Sequence, residues 1–136
     1  MSYKDQVFRL KTDRRSQMKD ITAAVFDFVH ETGVKSGRVT VFCPHTTAAI
    51  TINENSDSDV QYDMLLALDK LIPSKGQGFK HCEGNSDAHI KSSLFGASET
   101  IIISEGELVL GTWQGIYFCE FDGPRTRKFM VSVEGI

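Results

Sequence analysis

The sequence predicts a single α+β domain, and three observations carry that reading. Apolar residues recur at three- and four-residue spacing in two long segments and one short one. Short β-branched and aromatic runs dominate the C-terminal third. The two kinds of segment do not alternate strictly, which argues against a doubly wound parallel sheet. With 136 residues and 40% hydrophobic side chains, the chain is long enough to bury a true core and short enough to form one domain, spanning residues 1–136.

The elements follow in order. Residues 3–11 mix β-formers with charges ahead of the turn cluster Thr12-Asp13-Arg14-Arg15 and read as a first, edge-type strand. Ile21, Ala24, Val25, Phe28 and Val29 fall on one helical face, with Asp20 or Thr22 as N-cap and Gly33 as the C-terminal stop. Gly37 to Cys43 and Thr46 to Asn53 read as a hairpin-like or bent pair of strands around Pro44 and His45. From Asp57, Val60, Met64, Leu65, Leu68, Leu71 and Ile72 repeat at helical spacing up to Pro73. A glycine-rich loop, residues 74–80, leads to a short third helix from Asp87 to Leu94. Four β-rich runs close the chain: Thr100–Ile103, Leu108–Leu110, Trp113–Phe121 and Lys128–Val133.

Composition removes several classes of function. Net charge is −3, so the chain as a whole has no electrostatic footprint for nucleic acid. No apolar run approaches the roughly 18 residues of a membrane span. The N-terminus has no apolar signal-peptide core, so cytoplasmic residence is the expectation. The three cysteines, Cys43, Cys82 and Cys119, fit neither a disulfide framework nor a zinc knuckle and are expected as free, mostly buried thiols. Charge is unevenly spread: residues 39–69 carry Glu54, Asp57, Asp59, Asp63 and Asp69 but no Lys or Arg. That acidic block either faces solvent or serves a cation.

Chemistry concentrates in three places. His45, His81 and His89 lie at strand ends and loops, where a scaffold presents side chains to ligands. Glu83, Asn85 and Asp87 separate the last two. If His45 folds against that stretch, the three form a set compatible with zinc or another divalent metal; the alternative is that they bond to backbone and cap the third helix. Glu54 is a candidate general base or a support for a metal-bound histidine. Trp113 and Gln114, between Gly111 and Gly115, read either as core and turn residues or as a backbone approach to a ligand. Arg125, Arg127 and Lys128 follow the Asp122-Gly123-Pro124 turn and suit a phosphate or carboxylate, unless they are only a basic surface turn.

The ordering of these clusters resembles the YjbQ-like family over nearly the whole chain. The residues that carry the likeness are His45-Thr46-Thr47-Ala48, Asn53-Glu54, Asp63, His81-Cys82-Glu83-Gly84-Asn85, Ala88-His89, Lys91, Ser98 to Ile116 and Asp122-Gly123-Pro124-Arg125-Thr126-Arg127. The resemblance implies sheets packed as a two-layer sandwich with two to three helices, assembled as a homotrimer with clefts near subunit boundaries. It also implies a secondary thiamine-phosphate synthase activity, in which a pyrimidine methyl pyrophosphate joins a thiazole phosphate and pyrophosphate is released. Under that reading His45, Glu54, His81 and His89 are catalytic and Asp63 assists. Lys91, Trp113, Gln114, Arg125 and Arg127 hold substrate phosphate, and His45, His81 and His89 hold a divalent metal, zinc or magnesium. The alternatives are a non-catalytic trimer that binds a metal or anionic metabolite, and a metal-dependent hydrolase.

Overall fold

A computed structural model describes residues 1–136 and contains eight strands and three helices. In chain order these are β1 (Ser2–Lys11), β2 (Gln17–Asp20), α1 (Thr22–Thr32), β3 (Ser36–Phe42), β4 (Ala48–Glu54), α2 (Ser58–Leu71), α3 (Ser86–Phe95), β5 (Ser98–Ser104), β6 (Glu107–Leu108), β7 (Gln114–Glu120) and β8 (Thr126–Gly135). They form two antiparallel sheets, one ordered β1-β8-β3-β5-β6 and the other β2-β7-β4. No helix is long and apolar enough to cross a membrane.

Alternation along the strands determines how the sheets stack. Val39, Val41, Ile101, Ile103, Phe129, Val131 and Val133 point inward from the large sheet and meet Ile50, Ile116 and Phe118 from the small one. Helix α1 closes this core with Val25, Phe28 and Val29, and ends as expected at Gly33 in the left-handed region, φ 71°. The small sheet is covered on its other face too, where Ala49, Tyr117, Cys119 and Phe121 pack with Ala88 of α3 and with Leu65 and Leu68 of α2. Strand β7 is therefore buried on both faces, which explains its unbroken run Ile116-Tyr117-Phe118-Cys119.

The main departure from the expected topology is that β3 and β4 do not pair. β3 lies between β8 and β5, while β4 pairs with β7 in the other sheet. The chain changes sheets through Cys43–Thr47, so His45 sits at a corner of the sandwich rather than in a hairpin turn. β2 was not expected, because Gln17-Met18-Lys19-Asp20 lacks β-branched residues and forms as an edge on β7. Asp20 ends that strand, and its Oδ1 accepts both the N–H and the hydroxyl of Thr22 at the mouth of α1. All three cysteines are free. Cys43 and Cys119 are buried, and burial pushes both thiols up, but Cys82 is exposed, contrary to expectation.

Candidate functional site

The corner where β3 passes to β4 is also where the α2–α3 loop, α3 and the β7–β8 turn converge. His45, His81, His89, Arg125 and Arg127 line one cavity of about 480 Å³ there, together with Asn85 and Asp122, and no hydrophobic side chain takes part. The His81 and His89 rings stand edge to face with centroids 5.6 Å apart. His81 Nε2 lies 3.7 Å from Glu83 Oε2. A neighbouring hollow of about 420 Å³ shares His45 and His89 and is otherwise lined by small residues such as Ser93, Gly96 and Ala97.

His45 is held by a single bond that also defines its protonation. Its Nε2 lies 3.0 Å from the backbone nitrogen of Lys128 on β8, and a backbone amide can only donate, so Nε2 carries no proton. Burial and the nearby Arg127 guanidinium both lower its pKa. The ring is thus neutral at pH 7, with its proton on Nδ1.

The arginines are set by carboxylates behind them. Glu120 is fully buried and pairs with Arg127, whose Nη2 also donates to Thr47 Oγ1 at 2.8 Å. Burial alone would raise the Glu120 pKa, but Arg127, the Thr12 hydroxyl and the Asp122 N–H outweigh it and hold the carboxyl below its usual range. Arg125 donates through Nη2 to Asp122 Oδ2 at 2.9 Å and through Nε to the Asp122 carbonyl at 2.8 Å. The Nη1 groups of both arginines have no protein partner, and neither is a buried orphan. Two guanidinium donors therefore remain open to an anion. The turn that precedes Arg125, which contains a cis Gly123–Pro124 peptide, admits only glycine at 123: a Cβ there would collide with the Arg14 carbonyl oxygen and stand 2.9 Å from Thr12 Oγ1.

Helix α3 is anchored by its opposite face. Asp87, fully buried, receives Arg15 Nη1 and Nη2 at 3.0 Å each and Lys91 Nζ at 2.9 Å. Burial opposes its ionisation, but these two cations prevail and bring its pKa to about 2. Lys91 is 1% exposed and also pairs with Asp69 of α2 at 2.7 Å. This corrects the expectation for Lys91, whose ammonium is spent on Asp87 and Asp69 and does not line the cavity. Since residues two apart on a helix point in nearly opposite directions, Asp87 and Lys91 fix the helix from behind while His89 faces the cavity.

Four other candidates lie elsewhere in the chain. In the β4–β7 register, Ala48 faces Glu120 at the histidine end and Glu54 faces Gln114 at the other, so strand length separates Glu54 and Gln114 from His45. The Glu54 carboxylate accepts the Ser56 N–H and its carbonyl accepts the Tyr117 hydroxyl. Gln114 turns back to accept the Gly111 N–H. Trp113 is 61% exposed beside them, neither core nor cavity. Asp63 lies exposed on α2. The acidic block mostly faces solvent: Asp57 caps α2 by accepting the Asp59 N–H, and Asp69 serves Lys91.

The three histidines do not fit the expected metal set as they are placed. No three His, Cys, Asp or Glu side chains converge closely enough to hold a metal ion. Nε2 of His45 accepts an amide and its Nδ1 is protonated, so neither nitrogen offers a free lone pair. Residues that sequence reading did not single out as site-forming are Thr47, Asn85 and Asp122; the polar run between His81 and His89 was the available signal for Asn85.

Comparison with known proteins agrees with this architecture. Residues 6–136 match the family model described as UPF0047 protein YjbQ-like. The chain is 52% identical to the UPF0047 protein YugU of Bacillus subtilis over 130 residues, covering 96% of this chain and 98% of that one. It is 53% identical to UPF0047 protein MJ1081 of Methanocaldococcus jannaschii over 128 residues, covering 94% and 92%. Among solved structures, a YjbQ/UPF0047 family protein from Clostridium acetobutylicum is similar with a TM-score of 0.93 and 57% identity, covering 95% of this chain and 99% of that one. A YbjQ-like protein from Sulfolobus solfataricus superposes with a TM-score of 0.95 at 32% identity, covering 99% of each. Sequence and fold agree along the whole length, and the chain belongs to the YjbQ-like UPF0047 family.

Proposed function

We propose that the histidine-arginine cavity binds the pyrophosphate of a phosphorylated small molecule, and that the protein carries a secondary thiamine-phosphate synthase activity. The observation that supports this best is the pair of open Nη1 groups on Arg125 and Arg127 in a cavity whose lining, Pro44 apart, is entirely polar. Arginine forks match phosphate oxygens, and donors held in place by protein partners need no reorganisation when charge develops.

In such a transfer the thiazole nitrogen forms a C–N bond with the pyrimidine methyl carbon, and the C–O electron pair leaves with pyrophosphate. Negative charge grows on the leaving group, where Arg125, Arg127 and the Nδ1–H of His45 supply positive charge and a hydrogen-bond donor. His89 and His81 line the same space and are placed to carry protons. No step is assigned to a metal, since the histidines do not form a site for one. A homotrimer is part of the same proposal: α2 buries no residue fully and exposes Tyr62 and Leu66, one helical turn apart on the same face, which suits cover by a second copy.

The test is thiamine-phosphate formation from the two authentic substrates, in wild type and in His89→Ala and Arg125→Ala. The proposal expects slow turnover in wild type and at least a tenfold loss in each variant. Absence of turnover in wild type, with binding retained, would support the non-catalytic metabolite-binding alternative.

A further inference from the structure

Asn85 opens α3 and lines the cavity with His81, His89 and Asp122, yet is only 5% exposed. The orientation of its amide follows from its neighbours. Nδ2 donates to Asp122 Oδ2 at 2.7 Å and lies 3.5 Å from Glu83 Oε2. Reversing the amide would set its oxygen against two carboxylates. The carbonyl Oδ1 is left without a partner, and it is the only buried side-chain nitrogen or oxygen in the protein in that position.

Helix capping does not account for it. The N–H groups of Ala88 and His89 go to the Asn85 backbone carbonyl, and its side chain caps nothing. An orphaned acceptor in an otherwise satisfied interior is costly and marks a functional constraint or an absent partner.

We propose that Asn85 is a specificity-determining residue whose Oδ1 accepts a hydrogen bond from a neutral N–H or O–H group on the organic part of the phosphorylated ligand. This rests on the reading above and deepens it: the arginines take the anionic group, which every phosphorylated metabolite shares, and Asn85 reads what is attached. Oδ1 is shut off from bulk water, so little hydration competes with an entering donor. Gly84, at φ 72°, turns the chain in the left-handed region just before Asn85 and so sets where the Asn85 side chain enters the cavity wall. A ligand without the donor leaves the acceptor buried and unpaired, and polar sites reject such analogues strongly.

The experiment is calorimetric binding of a pyrimidine methyl pyrophosphate carrying a ring amino group, of its analogue lacking that group, and of inorganic pyrophosphate. Wild type should prefer the amino compound at least tenfold. Asn85→Ala should bring the two organic ligands within about twofold of each other while inorganic pyrophosphate binds within threefold of wild type. A wild-type preference near one, or a preference unchanged by Asn85→Ala, overturns the role of Asn85; the wild-type comparison stands even if the variant does not fold. If none of the three ligands binds wild type, the anion-site reading fails and this proposal falls with it. Binding of pyrophosphate without discrimination sinks Asn85 alone.

Discussion

The imidazole of His45 accepts the backbone N–H of Lys128 across 83 positions of sequence, at 3.0 Å. One bond thereby ties the sheet-changing corner to β8 and determines which ring nitrogen holds the proton. Burial and the Arg127 guanidinium hold the His45 pKa below the ordinary histidine value of about 6.5, and protonation of Nε2 would also break this bond. The sign follows: the unfolded chain binds this proton more readily, so the contribution to stability is complete above about pH 6.5 and is lost as pH falls below it. Nitrogen-detected histidine spectra should show the Nδ1–H tautomer at pH 7 and a midpoint under 6.5. An Nε2–H tautomer would refute the assignment.

Asp87 and Lys91 are expected to affect stability far more than ligand affinity. Asp87→Ala strands the buried Lys91 ammonium with Asp69 alone and should cost about 3 kcal/mol or more in denaturant titration. Lys91→Met keeps the volume, leaves Asp87 with Arg15, and should change pyrophosphate affinity less than threefold. With a folded pKa of about 2, the contribution of Asp87 is present above about pH 4 and disappears as pH falls from there toward 2.

Glu120 and Arg127 form one unit. Each single alanine variant leaves a buried charge uncompensated and should cost about 3–5 kcal/mol. The double variant should cost clearly less than the two added together, since no unpaired charge remains. Additive losses would show that the pair does not interact as the geometry requires.

Light scattering should give a mass three times the 15.2 kDa of one chain if the exposed side of α2 is covered by neighbouring copies. Leu66→Glu should shift the population toward monomer, whereas Glu99→Lys on β5 should not. A wild-type monomer at micromolar concentration would remove the trimer.

Much of this molecule was legible in its sequence, and the unread parts share a physical reason. Helices α1 and α2 and the doubly buried β7 carry strong periodic or continuous apolar signals. β2 does not, because four polar-leaning residues form a strand only once β7 offers a ladder. The β3–β4 pairing failed because adjacency in sequence favours a hairpin, whereas the inward residues of the two strands fill opposite walls of one core. In the site, His45, His81, His89, Arg125 and Arg127 line one cavity; the residues by themselves left open whether His45 meets the other two histidines, and only the family resemblance set the arginines beside them. Glu54 and Gln114 lie at the far end of their strands, a separation that only the register reveals. Lys91 was given to phosphate by the family resemblance; its i,i+4 partner Asp87 stands in plain sight in the sequence, but its burial and its second partner Asp69, 22 residues away, do not.

If the histidine-arginine cavity is an anion site, inorganic pyrophosphate titrated calorimetrically into wild type and Arg125→Ala will separate the two proteins. Wild type should take up one pyrophosphate per chain, and Arg125→Ala, checked for an intact fold by circular dichroism, should bind at least tenfold more weakly. No heat of binding in wild type, or equal affinity in both proteins, would contradict it.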